Sequence, residues 1–223
     1  MGKMIELTAS DGFKLGAYRA DPAGKPKGAV VVIQEIFGVN NHVKRTADGF
    51  AARGYTAIAP ALFDRHKPGI ELGYDQNAIA QGRDIRTAVD GPGPLQDVQA
   101  AIEAVKGVGK VAAVGYCWGG TLAFHAATRL SGLACAVGYY GGGIAATANE
   151  KPKVPTMLHF GDKDQSIPMT DVEKVKQARK DVTIYVYSAG HGFNCDERGS
   201  YDAASAKTAL DRTMSFIAEY VGK

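Results

Sequence analysis

Short runs of apolar residues alternate along this chain with longer segments whose apolar residues recur at helical spacing. The run AVVVI at 29–33 is continuous and β-branched, which is typical of a strand buried on both faces. In 42–53 the apolar residues, among them Val43 and Phe50, fall on one side of a helix. The pattern predicts strands over 5–7, 14–19, 29–33, 55–59, 110–116, 133–140, 156–160 and 183–187. It predicts helices over 42–53, 74–88, 95–105, 121–130, 171–179 and 203–221.

The order of these elements indicates the fold class. A Ser-Asp-Gly turn separates the first two strands, which predicts an N-terminal antiparallel hairpin. Strands and helices then alternate, which predicts an α/β protein with a mostly parallel central sheet and helices on both faces. With 223 residues and no linker or repeat, we expect one domain over 1–223. The stretch 60–73 is expected to be a long surface loop that borders a pocket.

Charge and hydropathy exclude several classes of function. Lys and Arg number 26 against 23 Asp and Glu, so the net charge is only +3. Without a long basic run, neither nucleic acid nor a membrane surface is expected as a partner. No apolar stretch reaches the ~18 residues of a membrane span, and the N-terminus lacks the apolar region of a signal peptide. We therefore expect a cytoplasmic location with reduced thiols.

The chain has three cysteines, Cys117, Cys135 and Cys195, and no CxxC pair. Zinc-ribbon and thioredoxin-type sites are therefore not expected, and neither a metal nor a cofactor is predicted. Glycine is in excess at 28 residues, which predicts many tight turns.

The sharpest motif is GYCWGG at 115–120, between a predicted strand and a predicted helix. It matches the nucleophile-elbow pattern G-x-S-x-G, with Cys117 in place of serine. The flanking glycines let strand and helix approach closely, and the helix N-terminus offers N–H groups to an anion. A buried structural cysteine beside a glycine-rich turn is the alternative, but the strand–turn–helix context favours a nucleophile.

An acid and then a histidine follow the elbow, in the chain order that this motif requires. Asp164 comes after the strand 156–160, with Asp162 as a competitor that spacing alone does not exclude. His191 lies between two glycines after the strand 183–187, where core packing gives little reason for a histidine. We expect His191 to act as general base and acid, with Asp164 orienting its ring. A structural role is the better interpretation of the other four histidines.

Glu35 follows the buried strand 29–33, where a carboxylate is costly unless it serves a partner or reaches water. A solvated strand end is the simpler interpretation, and a place in the pocket is the functional one. The loop after this strand supplies an oxyanion donor in the fold that the elbow indicates. The N–H groups of Ile36 and Trp118 are therefore the candidates for an oxyanion hole.

Five motifs together make the chain resemble the dienelactone hydrolase family of α/β-hydrolases over nearly its whole length. They are QEIFGVN at 34–40, GYCWGG at 115–120, AVGYYG at 136–141, GDKDQSIP at 161–168 and AGHGF at 189–193. The resemblance implies the α/β-hydrolase fold, and it selects Asp164 over Asp162 because the family's acid lies four residues before the proline. It also implies that Glu35 holds the resting Cys117 thiol neutral and takes its proton when substrate binds. A thiolate would then face the His191 imidazolium, while the neutral resting thiol would resist oxidation.

One part of the family pattern is missing from this sequence. The family binds its substrate carboxylate with two arginines, but the corresponding positions, near 78–80 and near Cys195, carry none. Arg83 and Arg86 are the arginines closest to the first position, and Arg198 is closest to the second. Arg83 and Arg198 are therefore the candidates for substrate binding.

Other interpretations of the pocket residues remain open. Arg198 could equally pair with Asp196 or Glu197 at the surface, which is the commoner fate of such a residue. Phe37 and Tyr139 are candidates for an aromatic pocket wall, although core packing explains them equally well.

The expected function is hydrolysis of small activated esters or lactones through a Cys-His-Asp triad and a thioester intermediate. Dienelactone is the leading substrate that the resemblance implies. A general carboxylesterase or thioesterase without a carboxylate requirement is one alternative. A catalytically silent ligand-binding protein is another, but its mark would be a broken triad, which the sequence does not show. The expected partner is a small molecule, and the expected state is a monomer or weak dimer.

Overall fold

The computed structural model describes residues 2–222, which form eight strands in one sheet. The strands are β1 Lys3–Thr8, β2 Lys14–Ala20, β3 Ala29–Ile33, β4 Thr56–Pro60, β5 Val111–Tyr116, β6 Leu133–Tyr139, β7 Thr156–Gly161 and β8 Thr183–Tyr187. Their order in the sheet is β1-β2-β4-β3-β5-β6-β7-β8. β1 and β2 form an antiparallel hairpin, β2 is antiparallel to β4, and the strands from β4 to β8 run parallel. The predicted α/β architecture is confirmed.

Six α-helices occur within residues 2–222. They are α1 Asn41–Ala52, α2 Gln76–Ala88, α3 Gly93–Val105, α4 Trp118–Arg129, α5 Met169–Ala178 and α6 Ala203–Tyr220. Asn40, Asp75 and Asp202 cap α1, α2 and α6 by accepting a hydrogen bond from the backbone N–H three residues on. Such a cap contributes ~1 kcal/mol, and Asp75 explains why α2 begins later than predicted. No helix in this part of the chain is long and apolar enough to cross a membrane.

The core lies on both faces of the sheet. Val30 and Val32 of β3 belong to a cluster on the face of α1 and α6, and Val31 and Ile33 belong to a cluster on the face of α3 and α4. All five residues of β3 are buried, which explains why this strand lacks polar alternation. Burying one such side chain contributes about 1.5–3 kcal/mol, so the centre of the sheet is a rigid support for the loops at its edge.

The stretch 60–73 is more ordered than a surface loop. It contains a 3₁₀ turn, Leu62–Arg65, whose Leu62 and Phe63 are buried. The Phe63 ring stacks on Trp118 at 5.7 Å, and Arg65 donates hydrogen bonds to the buried carboxylate of Asp97. The second half of the stretch borders a cavity, as predicted, but Cys117 does not line that cavity. The stretch therefore supports Trp118 from the side.

Candidate active site

Cys117 lies in a strained turn between β5 and α4. Its backbone has φ 54° and ψ −116°, in the left-handed region that non-glycine residues rarely adopt. A side chain at Gly115 would collide with the carbonyl oxygen of Gly119, and one at Gly119 would collide with that of Ile33. Strand and helix therefore pack closely only because both positions are glycine. The turn ends β5 and starts α4 at Trp118, three residues before the start predicted from apolar spacing.

Cys117, His191 and Asp164 form a continuous chain of contacts. The Cys117 Sγ atom lies 3.1 Å from His191 Nε2, and His191 Nδ1 lies 2.7 Å from Asp164 Oδ2. Asp164 is fully buried at its side chain, and its Oδ1 accepts hydrogen bonds from the N–H groups of Ser166 and Ile167 at 2.8 and 3.1 Å. The competing Asp162 is exposed. The structure therefore places Asp164, the acid that the resemblance selects, beside His191.

The surroundings of His191 favour its charged form. Burial by itself lowers the pKa of this imidazole, but its hydrogen bonds to Asp164 and Cys117 outweigh burial and raise the pKa to about 10. Ser200 Oγ donates a hydrogen bond of 2.6 Å to the His191 carbonyl and fixes the loop that carries the ring. An imidazolium here would stabilise a thiolate on Cys117.

Glu35 is paired with Arg198, a contact that the sequence reasoning missed. The side chain of Glu35 is 2% exposed, and its Oε1 accepts a hydrogen bond from Arg198 Nη1 at 3.0 Å. Its Oε2 is buried without a partner among residues 2–222. Burial lowers the pKa of Arg198, but the charge of Glu35, followed by that of Cys117, raises it on balance. A buried carboxylate needs such a counter-charge.

The pairing with Glu35 shows that the alternative interpretation, in which Arg198 pairs with Asp196 or Glu197 at the surface, is wrong. Arg45, not Arg198, binds the neighbouring acids, with Nη2 2.9 Å from Asp196 Oδ1 and Nη1 2.7 Å from Glu197 Oε1. Arg198 instead turns inward, with its guanidinium 5.6 Å from the centre of the Phe37 ring. The cause is the buried charge of Glu35, which lies far from Arg198 in sequence and could not be paired with it by spacing.

Comparison with known proteins assigns the chain to a family. The model of the dienelactone hydrolase family matches residues 15–221. This chain belongs to the dienelactone hydrolase family. The assignment confirms the resemblance drawn from the motifs and makes the protein a hydrolase with the α/β-hydrolase fold.

Individual dienelactone hydrolase relatives match along nearly their full length. A carboxymethylenebutenolidase of Pseudomonas putida is 33% identical, over 98% of this chain and 97% of its own. A Synechocystis protein assigned the same name is 34% identical, over 92% of each chain. The crystal structure of a Klebsiella pneumoniae protein assigned as a dienelactone hydrolase has a TM-score of 0.85 and 29% identity, over 98% of this chain and 100% of its own.

A cavity of about 290 Å³ lies in front of Cys117 in this dienelactone hydrolase family member. The predicted site residues that line it are Cys117, His191, Ile36, Trp118, Phe37, Arg83 and Arg198. Trp118 is the first residue of α4, so its N–H has no acceptor in a preceding helical turn. Ile36 and Trp118 thus remain the candidates for the oxyanion donors.

Tyr139 does not belong to this cavity, so its assignment as a wall residue is wrong. It ends β6, is fully buried, and its hydroxyl is hydrogen-bonded to Thr213 Oγ1 at 2.6 Å. Its ring packs against His159, with centroids 4.4 Å apart. Successive strand residues face opposite sides of a sheet, and the side chain of Tyr139 points to the side covered by α6.

Several other residues line the cavity without having been assigned to it by sequence reasoning: Ile79, Arg86, Thr121, Gly142, Gly143, Ser166 and Ile167. Arg86 could have been included, because it lies three residues after Arg83 and therefore on the same face of α2. Gly142 and Gly143 follow β6 in an irregular segment, and no periodic pattern points to them.

One group of possible metal ligands occurs within residues 2–222. The ligand atoms of His42, Cys195 and Asp196 lie within 4.8 Å of one another. Arg45 already binds Asp196 Oδ1, and burial raises the pKa of the Cys195 thiol to about 11. Both features favour the ion pair over a metal, and we assign no metal to this group.

Proposed function

We propose that this protein hydrolyses small activated esters and lactones with Cys117 as the nucleophile. The observation that carries the proposal is the unbroken chain from Cys117 Sγ through His191 to Asp164, at the wall of a cavity. A silent ligand-binding protein would have no need for a strained cysteine beside an oriented histidine.

The proposed reaction proceeds through a thioester. The Cys117 thiolate attacks the ester carbonyl, and the N–H groups of Ile36 and Trp118 stabilise the oxyanion, each by ~3 kcal/mol of the barrier. The C–O bond breaks, the imidazolium of His191 gives its proton to the leaving oxygen, and the acyl group stays on sulfur. His191 then takes a proton from water, whose oxygen attacks the thioester carbonyl. The C–S bond breaks, the acid is released, and the Cys117 thiolate is left facing the His191 imidazolium.

Glu35 has a proposed gating role in this scheme. In this structure Cys117 faces His191, while Glu35 is held by Arg198. This is the arrangement that the gating hypothesis assigns to the activated enzyme, with Glu35 turned away from sulfur. The alternative position of Glu35, hydrogen-bonded to a neutral thiol, belongs to the resting form that the family resemblance implies.

The substrate class depends on the arginines of the cavity. Arg83 and Arg86 are exposed on α2 and form no ion pair within residues 2–222, so either could bind a substrate carboxylate. Arg198 has its charge offset by Glu35, and Cys195 stands where the family has an arginine. We propose an acidic lactone such as dienelactone as the leading substrate, held through Arg83 with Arg198 at the back of the cavity.

The weakened arginine pair also supports a second candidate, a general carboxylesterase or thioesterase for neutral substrates. Matched neutral and acidic lactones separate the two functions. A kcat/KM at least about tenfold higher for the acidic lactone supports the dienelactone type, since one carboxylate–arginine contact is worth that much or more. Equal values support the general esterase.

The nucleophile is tested with Cys117→Ala, and Cys135→Ala serves as the matched control because Cys135 is a free cysteine buried in β6. We expect Cys117→Ala to lose at least about a thousandfold in kcat with para-nitrophenyl acetate, and Cys135→Ala to keep its rate. Full activity of Cys117→Ala would overturn the proposal.

A reducing compartment such as the cytoplasm suits this chemistry. All three cysteines are free in the structure, and a catalytic thiolate must stay reduced to act. We propose that the protein works there on a small-molecule substrate.

A further inference from the structure

A second cavity, of about 670 Å³, adjoins the cavity in front of Cys117. The two share three lining residues, Arg86 of α2 and Trp118 and Thr121 of α4. Thr121 and Trp118 lie one helical turn apart, so both face the junction. The second cavity therefore lies directly beside the first, and we call it the α3–α4 groove because residues from the start of α3 and from α4 line it.

The walls of the α3–α4 groove are mainly apolar. Leu95 of α3, Leu122 of α4 and Leu130, which follows the end of α4, line the groove, and all three are buried or half-buried. Trp118 forms the wall at the junction; it is 8% exposed and is held by its stacking on Phe63. A wall fixed in this way is preformed, which reduces the cost of ordering it around a ligand.

The charged groups of the groove largely cancel. Arg129 is paired with Glu150, whose Oε1 lies 2.6 Å from Nη2. Burial, followed by the nearby Arg129, lowers the pKa of His125, whose Nε2 is hydrogen-bonded to Thr147, so its ring is neutral at pH 7. The rim carries Arg86 and Asp90, which have opposite charges. The interior therefore suits a hydrocarbon group better than a second carboxylate.

The position of His191 decides which half of an ester the groove can take. His191 must give its proton to the leaving oxygen, so the alcohol half lies beside this ring. His191 lines the cavity in front of Cys117 but not the groove, which meets that cavity at Trp118, Thr121 and Arg86. We propose that the α3–α4 groove binds the acyl half of longer esters, as an extended apolar chain. The proposal rests on the function proposed above and names a substrate class for it.

Gln96 offers a way to close the groove without touching the catalytic residues. It lines the groove from the first turn of α3, is half-buried, and its side chain makes no hydrogen bond within residues 2–222. Gln76 is the matched control, because it lies in the first turn of α2, is exposed, and lines neither cavity. The variants are Gln96→Phe and Gln76→Phe.

The test compares para-nitrophenyl acetate with para-nitrophenyl octanoate. We expect the wild type to prefer octanoate in kcat/KM, and Gln96→Phe to lose at least about tenfold on octanoate while keeping its acetate rate. Gln76→Phe should match the wild type on both. A wild type with no octanoate preference, or a Gln96→Phe variant that keeps the preference, would overturn the proposal. If Gln96→Phe loses both activities, Leu95→Ala decides: a preference that it leaves unchanged also overturns the proposal.

A binding measurement separates this proposal from the proposed chemistry. Trp118 is the only tryptophan of the chain, so its fluorescence reports on the junction directly. In Cys117→Ala, octanoate should change the emission in a saturable way, and the added Gln96→Phe should weaken that binding at least about tenfold. The absence of a saturable change in emission would contradict binding in the groove, even if hydrolysis still depends on Cys117. Full esterase activity of Cys117→Ala would overturn the proposed role of Cys117 as the nucleophile, even if octanoate binds.

Discussion

Two cysteines, Cys117 and Cys195, lie close enough to Arg198 to raise its pKa, but their surroundings differ. Cys117 is partly exposed on a strained turn, with an imidazole nitrogen 3.1 Å from its sulfur. Cys195 is fully buried, and burial, followed by the charge of Glu35, raises its thiol pKa to about 11. The difference teaches that reactivity here comes from access and an oriented base, because both thiols share the same charged neighbour.

The largest expected effect concerns the orientation of that base. Asp164→Asn should lower kcat for para-nitrophenyl acetate by about a thousandfold, because the neutral amide neither orients the His191 ring as Asp164 does nor stabilises its imidazolium. Asp162→Asn is the matched control and should leave kcat unchanged, since Asp162 is exposed. Equal losses of kcat in the two variants would contradict the assignment of Asp164, rather than Asp162, as the residue that orients His191.

The contrast between the two thiols can be measured by alkylation. In the native protein, iodoacetamide should modify Cys117 at least about a hundredfold faster than Cys195, because Cys117 is partly exposed beside an imidazole and Cys195 is inaccessible. In urea the two rates should converge. Comparable native rates would show that burial does not protect Cys195.

A smaller effect, on stability, concerns Arg198, the charged neighbour that both thiols share. Arg198→Gln should lower the free energy of unfolding by about 2–4 kcal/mol, because it leaves the buried Glu35 charge unpaired. Arg45→Gln breaks exposed ion pairs with Asp196 and Glu197 and should cost less than about 1 kcal/mol. Urea unfolding at pH 7 measures both changes in the free energy of unfolding. An equal loss in the two variants would contradict the larger contribution expected of the buried Glu35–Arg198 pair.

The smallest effect is a pH dependence of stability. Folding raises the pKa of His191 from 6.5 to about 10, so its contribution to stability is complete below pH 6.5 and is lost as the pH rises through about 10. The unfolding free energy of the wild type, taken relative to His191→Gln, should therefore fall between pH 6.5 and pH 10. A difference that stays constant over this window would contradict a charged His191 in the folded state.

The fold was predictable because its signals are local. The run at 29–33 became β3 with the same bounds, and the predicted helices lie within a few residues of the observed ones. The start of α4 was missed by three residues, since Trp118 and the glycines after it carry no apolar periodicity and the strained Cys117 sets the boundary. Contacts between residues that are distant in sequence were harder to predict. The Glu35–Arg198 contact spans 163 positions and depends on burial, which a sequence pattern does not report.

The site residues also divide into those that a local sequence signal marks and those that depend on packing. Cys117 and His191 are marked by flanking glycines, and the choice of Asp164 over Asp162 came from the family resemblance rather than from spacing. Tyr139 was misplaced because a strand's last residue can face either side of the sheet, and only the position of α6 decides which. The α3–α4 groove depends on how two consecutive helices pack against each other, which the spacing of residues along either helix does not report.

The most direct test of the account is to find where the acyl group goes. The protein is mixed with para-nitrophenyl acetate, quenched in acid within the first turnovers, and digested for mass spectrometry. We predict one acetyl group on the peptide that carries Cys117, none on the peptides of Cys135 and Cys195, and no adduct in Cys117→Ala. An acetyl group on Cys195, or undiminished turnover by Cys117→Ala, would contradict the assignment of Cys117 as the nucleophile.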